Sequence, residues 1–145
     1  MKIKEIKSNK EIIKILYEFD HYFIPTIHEK VQDIKYYADK LSNNAYVFVA
    51  YSIGVDGFIS FYANDMKNKV AYVSFIAVHE NSRNKSVGTS LITACKNKAI
   101  KLGMKFIKLE VRKDNIGAID FYKKLGFYVT GEASDSSYYM LLELE

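Results

Sequence analysis

IAVHENSRNKSVG, residues 76–88, sets an apolar strand-like run, a polar turn and the opening of a helix in direct succession. The first amides of a helix have no partner inside it and point outward with partial positive charge, so this junction can receive anionic oxygens on main-chain N–H groups alone. Arg83 and Lys85 add full charge beside those amides, and Ser86, Gly88 and Thr89 keep the backbone approachable. The ligand chemistry that fits is a diphosphate. The plainer alternative is a capped helix preceded by two solvated cations, and the segment alone does not choose between them.

Working outward, Val87, Leu91, Ala94, Cys95, Ala99 and Leu102 recur on one helical face until Gly103 stops the helix. Upstream, residues 45–51, 57–63 and 70–78 read as strands, separated by turns short enough for an antiparallel meander. Residues 2–7 alternate as a further strand, and Ser8 caps a helix carrying Ile12, Ile13, Leu16, Tyr17 and Phe19. Pro25 closes that unit, and a second helix is predicted from His28 to Leu41. Downstream come a strand at 106–111, a helix from Asn115 to Leu125 ending at Gly126, and strands at 127–131 and 138–144. The pattern is α/β: a mixed sheet of about seven strands with about four helices on its faces, expected as one domain over residues 1–145.

Composition narrows the function classes. The 145 residues, 49% hydrophobic, suit one core and leave no room for a second. No run of eighteen uncharged apolar residues exists, and MKIKEIKSNK at the start alternates charge with Ile, so the expectation is a cytoplasmic protein without a membrane partner. A formal net charge of +4 favours an anionic partner, yet lysines scattered through every segment argue against nucleic acid. The single Cys95 excludes an internal disulfide and a thiolate cluster, and three histidines without ligand spacing give no metal site.

Residues 114–127, DNIGAIDFYKKLGF, form a second constellation directly after a strand. Asn115, Ala118 and Tyr122 stand at i, i+3 and i+7 on one helical face, with Ile119 and Phe121 toward the sheet. A tyrosine hydroxyl can protonate a departing thiolate, an Asn amide can hold a carbonyl or a water, and Ala118 leaves room for a slender ligand. Read without a ligand, Asn115 caps the helix and Tyr122 is a core aromatic.

Together and in this order, the two segments resemble the GCN5-related N-acetyltransferase (GNAT) family over about half the chain, residues 71–131. The family's acyl-CoA signature is Arg or Gln, two residues, Gly, one residue, then Gly or Ala. Here it reads Arg83, Asn84, Lys85, Ser86, Val87, Gly88, with Ser86 in place of the first glycine. Asn115, Ala118, Phe121, Tyr122, Gly126 and Phe127 match the family's NxxAxxFYxxxGF run. The resemblance implies the acyl-CoA N-acyltransferase fold, with a splayed central pair in which the strand at 70–78 parts from that at 106–111. It implies acetyl-CoA as co-substrate, held by Ile76, Ala77, Val78, Arg83, Asn84, Lys85, Ser86, Val87, Gly88, Thr89, Asn115, Ala118, Phe121, Tyr122 and Lys124. Main-chain groups of Ile76 and Val78 would pair with the pantetheine arm as another strand would. Tyr122 would act as general acid toward the sulfur, with Asn115 beside it at the catalytic centre.

The implied reaction is direct attack by a small-molecule amine, an amino sugar among the candidates. A protein or peptide amine as acceptor and a non-catalytic acyl-CoA-binding sensor are the alternatives, and a monomer or homodimer is expected. The general base stays open. Tyr72, Ser74 and Ile76 are the expected inward residues of the central strand, and none is a good base. That leaves a water relayed by Tyr72 or Ser74, or Asp20, His21, His28 or Glu29, while Glu110 lies on a strand beside the cleft with its parity unsettled. The loop from Tyr17 to Glu29, with Tyr36, Tyr37 and Tyr138, is the expected acceptor side.

Overall fold

A computed structural model describes residues 1–83 and 86–145, and the described residues form one seven-stranded sheet with five α-helices on its two faces. Strands β1 (Lys2–Ile6), β2 (Tyr46–Tyr51), β3 (Val55–Asp65) and β4 (Val70–Val78) are antiparallel neighbours, as the short turns predict. β5 (Phe106–Arg112) lies parallel to β4, and β6 (Tyr128–Ser134) and β7 (Ser137–Glu143) complete the order β1-β2-β3-β4-β5-β7-β6. Helix α1 (Asn9–Glu18) begins at Ser8, whose side chain accepts from the Glu11 amide at 3.4 Å.

The single helix predicted from His28 to Leu41 is two, α2 (Ile27–Val31) and α3 (Ile34–Asn44). Gln32 adopts a φ of +69°, and Asp33 starts the next helix by accepting from the Tyr36 amide at 3.1 Å. Val31, Ile34, Ala38 and Leu41 still face one core across the break, so the apolar period reads through it.

Each face has its own core. α1, α2 and α3 pack Ile12, Leu16, Ile27 and Leu41 against Val47, Phe58 and Phe75. On the opposite face, α4 (Val87–Lys101) and α5 (Ile116–Lys124) pack Leu91, Cys95 and Ile119 against Ile59, Val73, Ile107 and Leu109. Full burial of a large apolar side chain is worth about 1.5–3 kcal/mol, so these contacts set which face each helix takes.

β4 changes faces part-way along. Phe61 opposes Val73 and the adjacent Ser60 opposes Phe75, so Ser74 is an extra residue, a β-bulge. Ala71 and Val73 therefore belong to the α4–α5 core, whereas Phe75 and Ala77, of the same parity, belong to the other. β4 and β5 pair only at Val70↔Phe106, Ala71↔Ile107 and Tyr72↔Lys108, then separate. Crowding beside the bulged strand explains Gly57, where a Cβ would stand 2.6 Å from the Ala77 carbonyl oxygen. Gly57→Ala is expected to lose about 1–3 kcal/mol in urea denaturation. Gly54→Ala, with nothing within 4 Å of the new carbon, should stay within about 0.5 kcal/mol of the parent.

Candidate active site

The gap between the diverging strands is a cleft of about 610 Å³. Residues 72–76 of β4 form one wall and Leu109–Arg112 of β5 the other. Asn115, Ala118 and Tyr122 enter from α5 and its cap, and Tyr22–Pro25 with Lys30 of α2 border the side covered by the N-terminal helices. The segment that follows β4 is braced to β3. The buried Ser82 hydroxyl donates to Asp56 at 2.7 Å, and the His79 amide donates to the Asp56 carbonyl at 2.7 Å. His79 also accepts from the Asn81 amide at 3.3 Å, so it serves the turn.

Ser86 opens α4 in the left-handed region, at φ +63°, with no side-chain cap. Among the described residues, none accepts a hydrogen bond from the amides of Val87, Gly88 or Thr89. Arg83 stands exposed before them. Asn84 and Lys85, expected as cofactor contacts, lie outside the described residues. Helix-opening amides without an acceptor among the described residues, with an arginine shortly before them in the chain, suit anionic oxygens.

Other expected contacts fall differently. Val87 is buried in the α4–α5 core and Ala77 in the α1–α3 core, so each has only main-chain groups to offer a ligand. Gly88 is small for a second reason: a Cβ there would stand 3.0 Å from the Phe121 ring. Phe121 thus packs on the start of α4 and does not line the cleft, and Lys124 is exposed near the end of α5, also away from it.

Asn115 both caps and lines. Its side-chain oxygen accepts from the Ala118 amide at 3.2 Å, which leaves its Nδ2 to donate into the cleft. Tyr122 is 8% exposed, and burial pushes its hydroxyl far above the ordinary tyrosine range, so it holds its proton at neutral pH. Its ring is fixed between Phe121 at 5.3 Å and Phe127 at 5.5 Å.

The sequence profile of the Acetyltransferase (GNAT) family matches residues 11–127. The chain belongs to the GNAT family. It is 31% identical over 101 residues to L-ornithine N5-acetyltransferase NATA1 of Arabidopsis thaliana, a match covering 68% of this chain and 40% of that one. It is 40% identical over 65 residues to an N-acetyltransferase of Methanocaldococcus jannaschii, covering 45% and 29%. The GNAT chain therefore spans less than half the length of either relative. A Bacillus anthracis protein assigned as a streptothricin acetyltransferase, solved with acetyl coenzyme A, superposes with a TM-score of 0.66 at 29% identity, over 74% of this chain and 68% of that one. Aminoglycoside 6'-acetyltransferase type Ii, with a TM-score of 0.80 at 18% identity over 99% and 97% of the chains, shares the fold.

On the other side of the GNAT cleft, the bulge corrects one reading: Tyr72, Ser74 and Ile76 do not share a face. Ile76 packs toward the α4–α5 core. The Ser74 hydroxyl lies 2.7 Å from that of Ser60 and interacts with Tyr37, a residue of the α1–α3 side. Burial pushes the Tyr72 hydroxyl up to about 12, with the Glu110 charge adding to the effect. Tyr72 is thus protonated at neutral pH.

Glu110 is the residue whose placement the sequence reading left unsettled. Ile107, Leu109 and Val111 are buried in the α4–α5 core, so Glu110 turns the other way and lines the cleft. The buried hydroxyl of Ser137 donates to its Oε2 at 2.6 Å. The signal was present in IKLEVR, residues 107–112, where apolar and charged residues alternate at period two.

Asp20, His21, His28 and Glu29 line no part of the cleft. Glu29 and Thr26 form the capping box of α2. Tyr36 is 71% exposed, Tyr138 packs on the α4–α5 core, and Tyr37 stacks edge-on to Phe75. Asp20 accepts from the His28 amide at 2.7 Å and meets its Nδ1 at 2.5 Å. Burial raises the Asp20 carboxyl, but the hydrogen bonds and charge of His28 outweigh it and leave the carboxyl below its ordinary 3.8. A depressed folded-state pKa stabilises the protein above about pH 4, and that contribution is lost as pH falls through the lower folded-state value. Asp20→Asn is expected to lower the Tm at pH 7 and to converge with the parent in the most acidic melts.

Proposed function

We propose that the protein transfers an acetyl group from acetyl-CoA to a primary amine of a small molecule. The observation that carries this reading is the juxtaposition, in one cleft between parted strands, of a protonated Tyr122 and a hydrogen-bonded Glu110. The amides at the start of α4, which have no acceptor among the described residues, hold the diphosphate with Arg83. The free edge of β4 beyond Tyr72 offers main-chain groups to the pantetheine arm, and the Asn115 Nδ2 donates to the same arm.

The acceptor nitrogen enters from the side of Tyr22 and Phe23 and attacks the thioester carbonyl. Its C–N bond forms, and the carbonyl oxygen leans on a main-chain amide of β4. The C–S bond then breaks. Tyr122 gives its proton to the sulfur, and Glu110 takes the proton shed by the amine, directly or through one water. Similarity to an ornithine acetyltransferase and to a protein assigned to streptothricin supports an amine of a small molecule as acceptor.

A thiol-release assay across amines tests the reading. Tyr122→Phe is expected to lower kcat about 10²–10⁴-fold while acetyl-CoA affinity by calorimetry stays within about twofold. Glu110→Gln should lower kcat about 10²-fold, again without loss of acetyl-CoA. Unchanged turnover in both variants would remove the mechanism.

A further inference from the structure

Among the described residues, four charged side chains line the cleft: Lys30, Glu110, Arg112 and Asp114. Two of them cancel. The Arg112 guanidinium donates to Asp114 from Nε at 3.1 Å and from Nη2 at 3.0 Å, a two-point pair that engages both carboxylate oxygens. Lys30 and Glu110 remain. Among the described residues, no carboxylate lies within salt-bridge reach of Lys30, and no cation lies within reach of Glu110.

Each remaining charge has a neighbour in the cleft wall. The Lys30 ammonium lies over the Phe75 ring, 5.4 Å from its centroid, and Phe75 is itself wedged by Phe23 at 4.9 Å and Tyr37 at 5.9 Å. Glu110 is fixed by Ser137, which is 3% exposed and lies 2.9 Å from the Ser134 hydroxyl. The α2 side of the cleft thus offers one cation and the β5 side one anion, and Tyr22, Phe23, Tyr72 and Phe75 are among the residues that line the same cleft.

We infer that the acceptor carries an amine and an anionic oxygen group, carboxylate or phosphate, in one small molecule, with Glu110 receiving the amine and Lys30 the anion. This rests on the acetyl-transfer reading above. A plain monoamine leaves Lys30 unanswered, and a diamine sets its second ammonium against Lys30, so the same pair of charges selects against both.

The test measures acetyl transfer to matched acceptors: 4-aminobutanoate, 1-aminobutane and 1,4-diaminobutane, then glucosamine 6-phosphate and glucosamine. The expected result is a kcat/KM at least about tenfold higher for the anionic member of one set, and the set that responds tells carboxylate from phosphate. Lys30→Gln should raise KM for that acceptor about five- to thirtyfold, leave its kcat and the KM of the uncharged partner unchanged, and be restored by Lys30→Arg. Equal or better use of the neutral amine or the diamine, or a Lys30→Gln effect equal on both partners, overturns the inference while acetyl transfer stands. Where no amine turns over although acetyl-CoA binds, acetyl transfer fails instead. Calorimetry of the same anionic probes then decides: binding to the parent but not to Lys30→Gln upholds the charge subsite, and equal binding or none overturns it.

Discussion

The parting of β4 from β5 after three residue pairs is the constraint on which the rest of the molecule depends. Two parallel strands normally continue until a turn ends one of them, because each further residue satisfies backbone groups. Here the extra residue Ser74 locally adds twist to β4 and breaks its ladder with β3 just past the last pair with β5. The hydroxyls of Ser60 and Ser74 answer one another at 2.7 Å across the irregularity, and Ser74 also donates to the Ser60 carbonyl at 3.2 Å. Beyond this point the edge of β4 that faced β5 is left to other partners, which is what makes a cleft rather than a continuous sheet.

The face change that accompanies the bulge divides the labour. Phe75 is delivered to the α1–α3 side, where Phe23, Lys30 and Tyr37 gather round it, and Ile76 is delivered to the α4–α5 side. Without the inserted residue, strict alternation would put Val73 and Phe75 on the same side. One core would be overfilled and the other left short. Bracing at the far end of β4, through Asp56, His79 and Ser82, then ties the segment that follows it to β3.

Much of this was legible in the residues. Strand and helix order follows from apolar period, Ser8 and Asn115 behave as caps, and the pair of motifs marks α4 and α5. The departures share a cause: side-chain pattern reports faces, not backbone. The apolar period spans α2 and α3 without interruption, so the left-handed Gln32 between them leaves no trace in it. VSFIAV, residues 73–78, reads as an unbroken buried strand, and a bulge inside such a run is decided by the register of its neighbour β3. Glu110 was within reach of a period-two reading of its own strand, but that reading gives only a side, and Ser137, which orients it, is twenty-seven residues away in sequence.

The packing of Gly88 against Phe121 has a further meaning. α4 follows β4 in the chain and α5 follows β5, so this contact adds to their shared core in tying together the halves that the strands abandon after Tyr72. A wedge riveted at its apex and again across one flank keeps its gape. Its selectivity is accordingly a matter of calibre, as in a gauge block, and shaving the Phe121 ring, which lines no part of the slot, would resize it from the flank.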